Sequence, residues 1–386
     1  MRRAALRGCK PIAVAAAAMA GVIACSSYGF AQAKPYDDWQ NIEPAAAGFQ
    51  PDVAARLDVA VRQGELPNLH AVVVVRGGKL VFERYYEGPD EFWAMPIGRV
   101  EFGPNVKHDL RSATKSMVSL LYGIAHTEGK VPALNQSLMS QFPAYQDLAA
   151  DPERRRMTVA HALTMTWGLD WPTENLPTYS HNPELDMYLA TDSYRFIFDR
   201  PMATAPGTTW SYCGGATAVL GHLIAQGTGE PLFQYAREKL FDPLGITEVQ
   251  WVGGTDGEVS APSGLRMRPR DFAKIGQMVL NKGRWGKRQV VPANWLEQAL
   301  TPHASVPPEH VGGMNGIEYG YQWWLIRGSS EQPWFAAMGN GGQALIIIPS
   351  LDLVVAVMAG NYNTPNQRSV AMDIMNKIVL PALKGK

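Results

Sequence analysis

Ser112 and Lys115 form a Ser-x-x-Lys pattern at a point where the sequence predicts the start of a helix. Met117, Leu120 and Ile124 follow at helical spacing. Residues three apart share a helix face, so the hydroxyl and the amine can touch. The backbone N–H groups at a helix start, together with the helix dipole, also favour negative charge nearby. One turn can therefore supply a nucleophile, a base and half an oxyanion hole, although an N-capping serine beside a solvated lysine fits the same pattern.

Two later motifs add polar or flexible residues beside predicted secondary structure. Tyr212 lies in a Gly-rich loop, 206–215, that leads into a predicted helix. Gly339 belongs to the run Ala-Met-Gly-Asn-Gly-Gly-Gln at 337–343, inside an apolar β region. Glycines within a strand mark a bulge or a close approach of the backbone by a ligand. Tyr212 could instead be a loop tyrosine packed between domains, and the glycine run could be a plain β-bulge.

The composition limits the classes of function. The chain has 386 residues, with 35 Lys plus Arg and 35 Asp plus Glu. This balance gives no electrostatic reason to expect a nucleic-acid partner. Zinc-binding, Walker and dinucleotide-binding patterns are absent from the places they would need to occupy. We therefore expect no cofactor, no metal and no nucleic acid.

The N-terminus resembles a targeting segment. Basic residues precede an apolar, Ala-rich run at 11–24, and Ala-Gln-Ala at 31–33 is a small-x-small cleavage site. Residues 1–33 are predicted to be a signal peptide, so that the mature chain begins at Lys34. The protein is then expected to be periplasmic or secreted. A lipoprotein signal ending at Cys25, which would carry a lipid anchor, is the alternative. The apolar run is short for a membrane span, so none is expected in the mature form.

The remaining chain alternates β-rich and helical segments. A hairpin is predicted over 69–75 and 80–86, because Arg-Gly-Gly-Lys separates two β-rich runs. The other predicted strands are 319–326, 334–338, 343–348 and 353–359. The predicted helices are 51–62, the helix of Ser112, 158–165, 216–227, 231–241, 269–281, 292–300 and 372–383.

Strands at both ends, with helices between them, indicate how the domains are divided. Residues 34–130 and 247–386 are predicted to form one α/β domain, and residues 131–246 a mostly helical one. Because hairpins link the strands, the sheet is predicted to be antiparallel. The fold class is therefore α+β, an antiparallel sheet flanked by helices plus a mostly helical domain.

Taken in order, these motifs resemble the serine β-lactamase and penicillin-binding-protein superfamily. The chain is most similar to its class C-like branch of family VIII esterases, D-aminopeptidase-like proteins and 6-aminohexanoate-dimer hydrolases. Ser112-Ala113-Thr114-Lys115 matches the first family motif. Tyr212-Cys213-Gly214 stands where the family has Tyr-x-Asn, and Ala337-Met338-Gly339 where it has Lys-Thr-Gly. The resemblance implies the β-lactamase/transpeptidase-like fold.

The resemblance also implies roles for individual residues. Ser112 would be the acyl-forming nucleophile, and Lys115 and Tyr212 would share the proton transfers; which of them is the primary base stays open. A lowered pKa of Lys115, caused by burial, would suit it to that work. The backbone N–H groups of Ser112 and Asn340 would form the oxyanion hole. Further residues predicted at the substrate cleft are Trp167, Tyr179, Gly339 and Gln343.

The expected activity is hydrolysis of an ester or amide bond of a small molecule. Alternatives are a D,D-peptidase or β-lactamase acting on cell-wall peptides or β-lactams, and a non-catalytic penicillin-binding sensor. In β-lactamases a charge and a hydroxyl on this strand hold the lactam carboxylate, and Ala337 and Met338 provide neither. Lactam hydrolysis is therefore not expected, unless an arginine such as Arg327 reaches the site and supplies the charge. A Ser-His-Asp arrangement using His161 or His108 with Asp170, and a Cys213 nucleophile, are weaker alternatives, since neither has a motif of its own.

Overall fold

Fifteen strands run through the part of the chain that the computed structural model describes, residues 39–172, 182–254, 257–311, 314–327, 333–364, 367 and 369–384. In chain order they are β1 (Leu69–Arg76), β2 (Lys79–Tyr85), β3 (Glu87–Phe92), β4 (Met95–Glu101), β5 (His108–Asp109), β6 (Val249–Trp251), β7 (Leu265–Met267), β8 (Arg284–Trp285), β9 (Arg288–Gln289), β10 (Ala304–Ser305), β11 (Ile317–Tyr319), β12 (Trp324–Ile326), β13 (Trp334–Gly339), β14 (Gln343–Ile348) and β15 (Leu353–Ala359).

Eleven α-helices lie in the same described ranges. They are α1 (Val53–Arg62), α2 (Thr114–Thr127), α3 (Pro152–Arg156), α4 (Val159–Leu163), α5 (Pro183–Leu189), α6 (Ser193–Asp199), α7 (Gly214–Thr228), α8 (Leu232–Ala236), α9 (Pro269–Leu280), α10 (Ala293–Ala299) and α11 (Ser369–Asp373). Short 3₁₀ turns occupy Arg111–Ala113, Met139–Gln141, Pro143–Tyr145, Leu148–Ala150, Asp242–Leu244, Pro308–Val311 and Pro349–Leu351. Two π-helical turns, Arg237–Phe241 and Ile374–Val379, extend α8 and α11. None of the helices described is long and apolar enough to cross a membrane.

The largest sheet is antiparallel and has eight strands in the order β10-β11-β12-β13-β14-β15-β1-β2. Strands β14 and β15 are buried along their whole length, and β1 along all but its last residue. Such continuous apolar strands are typical of a sheet covered on both faces. Helix α9 packs across β14, β15 and β1. Because β1 pairs with β15, the early and late parts of the chain share one sheet, as predicted.

Helix α2 is the central helix of the fold and carries the predicted Ser-x-x-Lys motif at its start. All of its residues from Thr114 to Ala125 are buried, which is the pattern of a helix with neighbours on every side. It packs against α7, α10 and β13. A second sheet, in the order β5-β7-β6, holds the chain just before α2.

The predicted antiparallel sheet and α+β class are confirmed, and so are the hairpin β1–β2 and the strands β14 and β15. The prediction of one strand over 319–326 is wrong, because β11 and β12 form a hairpin there. Gln322 lies in the turn with φ 63°, and Gly320 N–H donates to the Trp323 carbonyl at 2.9 Å. β-Propensity alone does not reveal so tight a turn within an aromatic run.

Two of the predicted helices also differ in detail from the structure. The helices predicted at 231–241 and 372–383 each change from α to π geometry, and the second begins earlier, at Ser369, and ends at Val379. In the described part of 131–246 every named element is helical. The division into an α/β domain and a helical domain stays a prediction.

Candidate active site

Ser112 lies on a 3₁₀ turn that leads directly into α2. The preceding residue, Arg111, has φ 49°, a left-handed conformation that is rare for residues other than glycine and that clusters at functional sites. Two hydrogen bonds fix the turn against β7: Leu110 N–H donates to the Leu265 carbonyl at 2.9 Å, and Leu265 N–H donates to Thr114 Oγ1 at 3.3 Å. The backbone on both sides of the half-buried Ser112 is therefore held in place.

Lys115 lies one helical turn after Ser112 and is almost fully buried, with 1% of its surface exposed. Its Nζ donates hydrogen bonds to Ser112 Oγ and to the Pro262 carbonyl, both at 3.1 Å. The structure thus brings together the serine and lysine that the spacing of the motif predicts. The backbone contact with Pro262 fixes the amine beside the hydroxyl.

Tyr212 lies on the other side of the lysine, in the loop before α7. Lys115 Nζ is 4.9 Å from the centre of the Tyr212 ring. The loop is anchored next to the tyrosine, where Ser211 N–H donates to the Met165 carbonyl at 2.8 Å. The Trp324 ring packs against Tyr212 with centroids 5.6 Å apart. The three residues predicted to act together are therefore neighbours in space.

The charges around Lys115 decide its protonation. Burial acts to lower the pKa of Lys115, but its neighbours Tyr212 and Glu184 outweigh burial and raise the pKa above its ordinary value. The expectation of a lowered pKa is therefore wrong in direction. A raised pKa favours the protonated form of Lys115, in which Nζ donates to Ser112 Oγ.

Glu184 is a site residue that the sequence did not indicate. It lies in the first turn of α5, after the N-cap Asn182, whose side chain accepts from the Glu184 N–H at 3.0 Å. A Cβ placed on Gly214 would be only 2.4 Å from Glu184 Oε2, so the carboxylate reaches the start of α7, two residues after Tyr212. In the sequence, Asn-Pro-Glu has the appearance of an ordinary helix start. Only the packing of α5 against α7 reveals the role of Glu184.

Gly339 and Asn340, at the end of β13, lie against the turn that carries Ser112. A Cβ on Gly339 would be 2.2 Å from the Leu110 carbonyl oxygen, so only glycine fits there. The sequence predicted a bulge or a ligand at this glycine, and the group that approaches it in the structure is the Leu110 backbone carbonyl. Asn340 is fixed by hydrogen bonds: its side chain donates to Asn363 Oδ1 at 2.6 Å, and its carbonyl accepts from Gln343 Nε2 at 2.9 Å.

Two of the side chains predicted at the cleft, Trp167 and Gln343, are buried and do not line it. Trp167 is fully buried and packs near Phe198, so it does not line an open cleft. Gln343 is also buried, and its amide bonds both the N–H and the carbonyl of Ala359, which makes it a support for the Asn340 loop. Both side chains are hidden because their partners are apolar rings and backbone groups of the core. Tyr179 lies outside the described residues.

The residues of the alternative catalytic arrangements have structural roles. His161 forms a capping box with Thr158, and Asp170 pairs with Arg200 near the surface. Cys213 is fully buried, and burial raises the pKa of its thiol far above the ordinary value. A buried, protonated thiol is a packing residue and a poor nucleophile.

Comparisons with known proteins agree with this geometry. Residues 68–375 match the family model described as Beta-lactamase. Esterase EstB of Burkholderia gladioli is 26% identical over 238 residues, and this match spans 58% of each chain. The 6-aminohexanoate-dimer hydrolase of Paenarthrobacter ureafaciens is 23% identical over 371 residues, spanning 87% of this chain and 88% of that protein.

Solved structures support the same fold. Simvastatin synthase of Aspergillus terreus has a TM-score of 0.63 at 16% identity, over 88% of this chain and 99% of that one. At so low an identity the likeness concerns the fold alone. The family match, by contrast, extends over most of the chain and contains the Ser112 turn, Tyr212 and the Asn340 loop. On these grounds the chain belongs to the Beta-lactamase family.

Proposed function

We propose that this chain is an exported serine hydrolase that cleaves an ester or amide bond of a small molecule through an acyl-enzyme on Ser112. The observation that carries the proposal is the contact of Lys115 Nζ with Ser112 Oγ at 3.1 Å, under the ring of Tyr212. A serine hydroxyl needs a nearby proton acceptor to become nucleophilic. Ser112 is partly exposed, and two proton-handling side chains, Lys115 and Tyr212, lie at its site.

The protonation of Lys115 favours Tyr212 as the group that takes the serine proton. An ammonium at Lys115 donates to Ser112 Oγ and has no lone pair for that proton. The other proton-handling side chain beside Lys115 is Tyr212, and in this proposal Tyr212, acting as a phenolate, takes the serine proton. Lys115 then orients the serine oxygen and balances the charge of Tyr212.

Acylation and deacylation follow from this arrangement. Ser112 Oγ forms a bond to the substrate carbonyl carbon while its proton passes to Tyr212. The bond from the carbonyl carbon to the leaving oxygen or nitrogen then breaks, and Tyr212 returns the proton to the leaving alcohol or amine. Water repeats the two steps on the acyl-enzyme, releases the acid and restores Ser112. Positioned proton transfer of this kind contributes about 10²- to 10⁴-fold in rate.

The backbone N–H groups of Ser112 and Asn340 are proposed to hold the carbonyl oxygen as it gains negative charge. Ser112 lies on the 3₁₀ turn immediately before α2, next to the helix start, where the helix dipole favours an anion. Asn340 follows Gly339, which contacts the turn before Ser112. Loss of one such donor costs about 3 kcal/mol in the barrier.

Neutral esters and amides suit this site better than β-lactams. The two residues before Gly339 on β13, Ala337 and Met338, carry no charge for a substrate carboxylate. Arg327 is occupied by an ion pair with Glu318 at 2.6 Å. The relatives named as an esterase and as a 6-aminohexanoate-dimer hydrolase support the same substrate class.

A substrate panel tests the proposal. A short-chain nitrophenyl ester, a linear amide dimer, nitrocefin and a D-Ala-D-Ala peptide are offered to the wild type, to Ser112→Ala and to Ser119→Ala. Ser119 is a matched control, since it is a buried serine of α2 whose hydroxyl has no hydrogen-bond partner among the described residues. We expect ester or amide hydrolysis that Ser112→Ala abolishes and Ser119→Ala keeps. Hydrolysis that survives in Ser112→Ala would refute the proposed nucleophile.

Export rests on the N-terminal sequence, which lies outside the described residues. N-terminal sequencing and mass measurement of the mature protein test it. A chain beginning at Lys34 in the periplasm or medium supports ordinary cleavage, and a lipid-modified chain beginning at Cys25 supports the lipoprotein alternative. An unprocessed chain retained in the cytoplasm would refute export.

A further inference from the structure

A second polar cluster is buried close to the Ser112 turn. It consists of His70 on β1, Asp90 on β3 and His108 on β5, and the side chains of all three are nearly or fully inaccessible to solvent. His70 Nδ1 and His108 Nε2 are 2.9 Å apart. Asp90 Oδ1 lies 3.5 Å from His108 Nε2 and 3.9 Å from His70 Nδ1.

The outer nitrogens of the two histidines determine their tautomers. His108 Nδ1 lies 2.9 Å from the Asp109 carbonyl, which can only accept, so this nitrogen carries a hydrogen. His70 Nε2 lies 3.0 Å from Asn68 Oδ1. The orientation of that amide is fixed because Asn68 Nδ2 donates to the Pro89 carbonyl at 3.0 Å. His70 Nε2 therefore carries a hydrogen as well.

It follows that the two inner nitrogens of neutral rings face each other with lone pairs. The Asp90 carboxylate oxygen is a third lone-pair donor directed at the same point. It is already hydrogen bonded from outside, since Tyr362 Oη donates to Asp90 Oδ1 at 2.7 Å. Lone pairs that converge in this way repel one another unless a positive centre lies between them. Either a proton shared by the histidines or a metal ion can supply that centre.

The geometry favours the metal ion. A shared proton joins only the two nitrogens. Asp90 Oδ1 would then have no hydrogen bond from either histidine, because both of its distances to the ring nitrogens exceed the upper limit of about 3.2 Å for an ordinary N–H···O bond. One point lies about 2 Å from all three atoms, which is the bond length of zinc to histidine nitrogen and carboxylate oxygen. We propose that His70, Asp90 and His108 bind one divalent first-row transition-metal ion, with zinc as the first to test.

The surroundings of the cluster are those of a metal site. Each ligand has an outer hydrogen-bond partner, namely Asn68, the Asp109 backbone or Tyr362. Partners of this kind orient metal ligands and increase their basicity. The Phe102 ring stacks on His70 with centroids 4.2 Å apart and shields the cluster from water. The ion would thus enter during folding and join β1, β3 and β5 just before the Ser112 turn.

This proposal revises the expectation of no metal. Zinc patterns in a sequence are short spacings, whereas these ligands are twenty and eighteen residues apart along the chain. Only the folded structure brings them together. The proposed role is structural, so the test uses metal content and stability and does not depend on the proposed hydrolase activity.

The experiment is a metal-loading assay on the tag-free mature chain. The protein is unfolded in denaturant that contains a chelator, and the chelator is removed. It is then refolded with Zn²⁺ or Co²⁺, passed through a desalting column and analysed for bound metal. We expect about one ion per chain, visible absorption bands of Co²⁺ bound by histidine and carboxylate, and a higher melting temperature than that of the metal-free chain. A wild-type chain that retains no metal would overturn the proposal and leave the shared proton.

Variants locate the ion. His70→Asn and Asp90→Asn each remove a ligand and should lose the bound metal, while Tyr362→Phe keeps all three ligands and should weaken binding about tenfold. His303→Asn is the matched control, since it removes an exposed histidine remote from the cluster. Metal retained by both ligand variants at the wild-type level would overturn the assignment. If the ligand variants fail to fold, Tyr362→Phe and the wild-type Co²⁺ spectrum decide the outcome.

Discussion

The carboxylate of Glu184 occupies the space in which a side chain at position 214 would begin. A Cβ on Gly214 would lie 2.4 Å from Glu184 Oε2 and 2.7 Å from its Cδ. In the motif that this chain resembles, an asparagine stands at the position of Gly214. The loss of that side chain therefore makes room for an acidic group, and the group acts on Lys115 by raising its pKa.

Removal of the Glu184 charge should shift the pH profile of hydrolysis. A negative neighbour raises the pKa of Lys115, so Glu184→Gln should lower that pKa toward its ordinary value. If the charged form of Lys115 is required, kcat/KM should fall at a lower pH in this variant than in the wild type. Asp186→Asn on the same helix is the control, and Ser112→Ala gives the background rate. An unchanged alkaline limb would show that Glu184 does not act on the lysine.

A methyl group at position 214 should reproduce that shift with little loss of stability. In Gly214→Ala the new Cβ displaces Glu184 Oε2, which is the end of a flexible side chain and can turn away. We therefore expect a free energy of unfolding within about 1 kcal/mol of the wild type, below the range of about 1 to 3 kcal/mol usual for overpacking. Urea unfolding and the pH dependence of kcat/KM measure the two effects. A much larger loss of stability would mean that the carboxylate is held rigidly.

Lys115 and Tyr212 should behave as one unit in kinetics. Lys115→Ala removes the amine proposed to orient Ser112, and Tyr212→Phe removes the proposed proton acceptor, so each should lower kcat by about a thousandfold or more. Because each change disables the same step, the double variant should be little slower than either single variant. Losses that multiply in the double variant would show that the two residues act independently.

Ester hydrolysis should exceed β-lactam hydrolysis by a wide margin. Charge-assisted hydrogen bonds to a carboxylate are about twice as strong as neutral ones, and Ala337 and Met338 supply none. A neutral ester needs only the nucleophile, the proton acceptor and the two backbone donors. The measurement compares kcat/KM for nitrocefin and for nitrophenyl butyrate. A preference for nitrocefin would refute the interpretation of this strand.

Much of the fold could be predicted because its patterns are local. Gly-Gly between two apolar runs predicts the hairpin of β1 and β2, and continuous apolar runs predict β14 and β15 with the bounds observed. The hairpin at 319–326 was missed because its turn depends on the backbone conformation of Gln322 within a run of β-formers. Turns that lack Gly-Gly or Asn-Gly leave a weak signal in a sequence.

Contacts in the site could likewise be predicted where they are local in sequence, and were missed where they join distant segments. Ser112 and Lys115 are one helical turn apart, so their contact follows from spacing. The reach of Glu184 to Gly214, and the meeting of His70 with His108, join segments far apart in the chain and have no local pattern. The direction of the Lys115 pKa was missed in part for the same reason, since burial and Tyr212 could be anticipated and the Glu184 carboxylate could not.

The most direct test of the account is to locate the covalent adduct. The wild type, Ser112→Ala and Cys213→Ala are treated with a fluorophosphonate probe. The adduct is measured by intact mass and then mapped by peptide digestion. A protease other than trypsin is used, because trypsin would cut on both sides of 112–115 and leave a very short peptide. The account predicts one adduct per chain, on Ser112, present in the wild type and in Cys213→Ala and absent from Ser112→Ala. An adduct that persists in Ser112→Ala, or that disappears in Cys213→Ala, would contradict it.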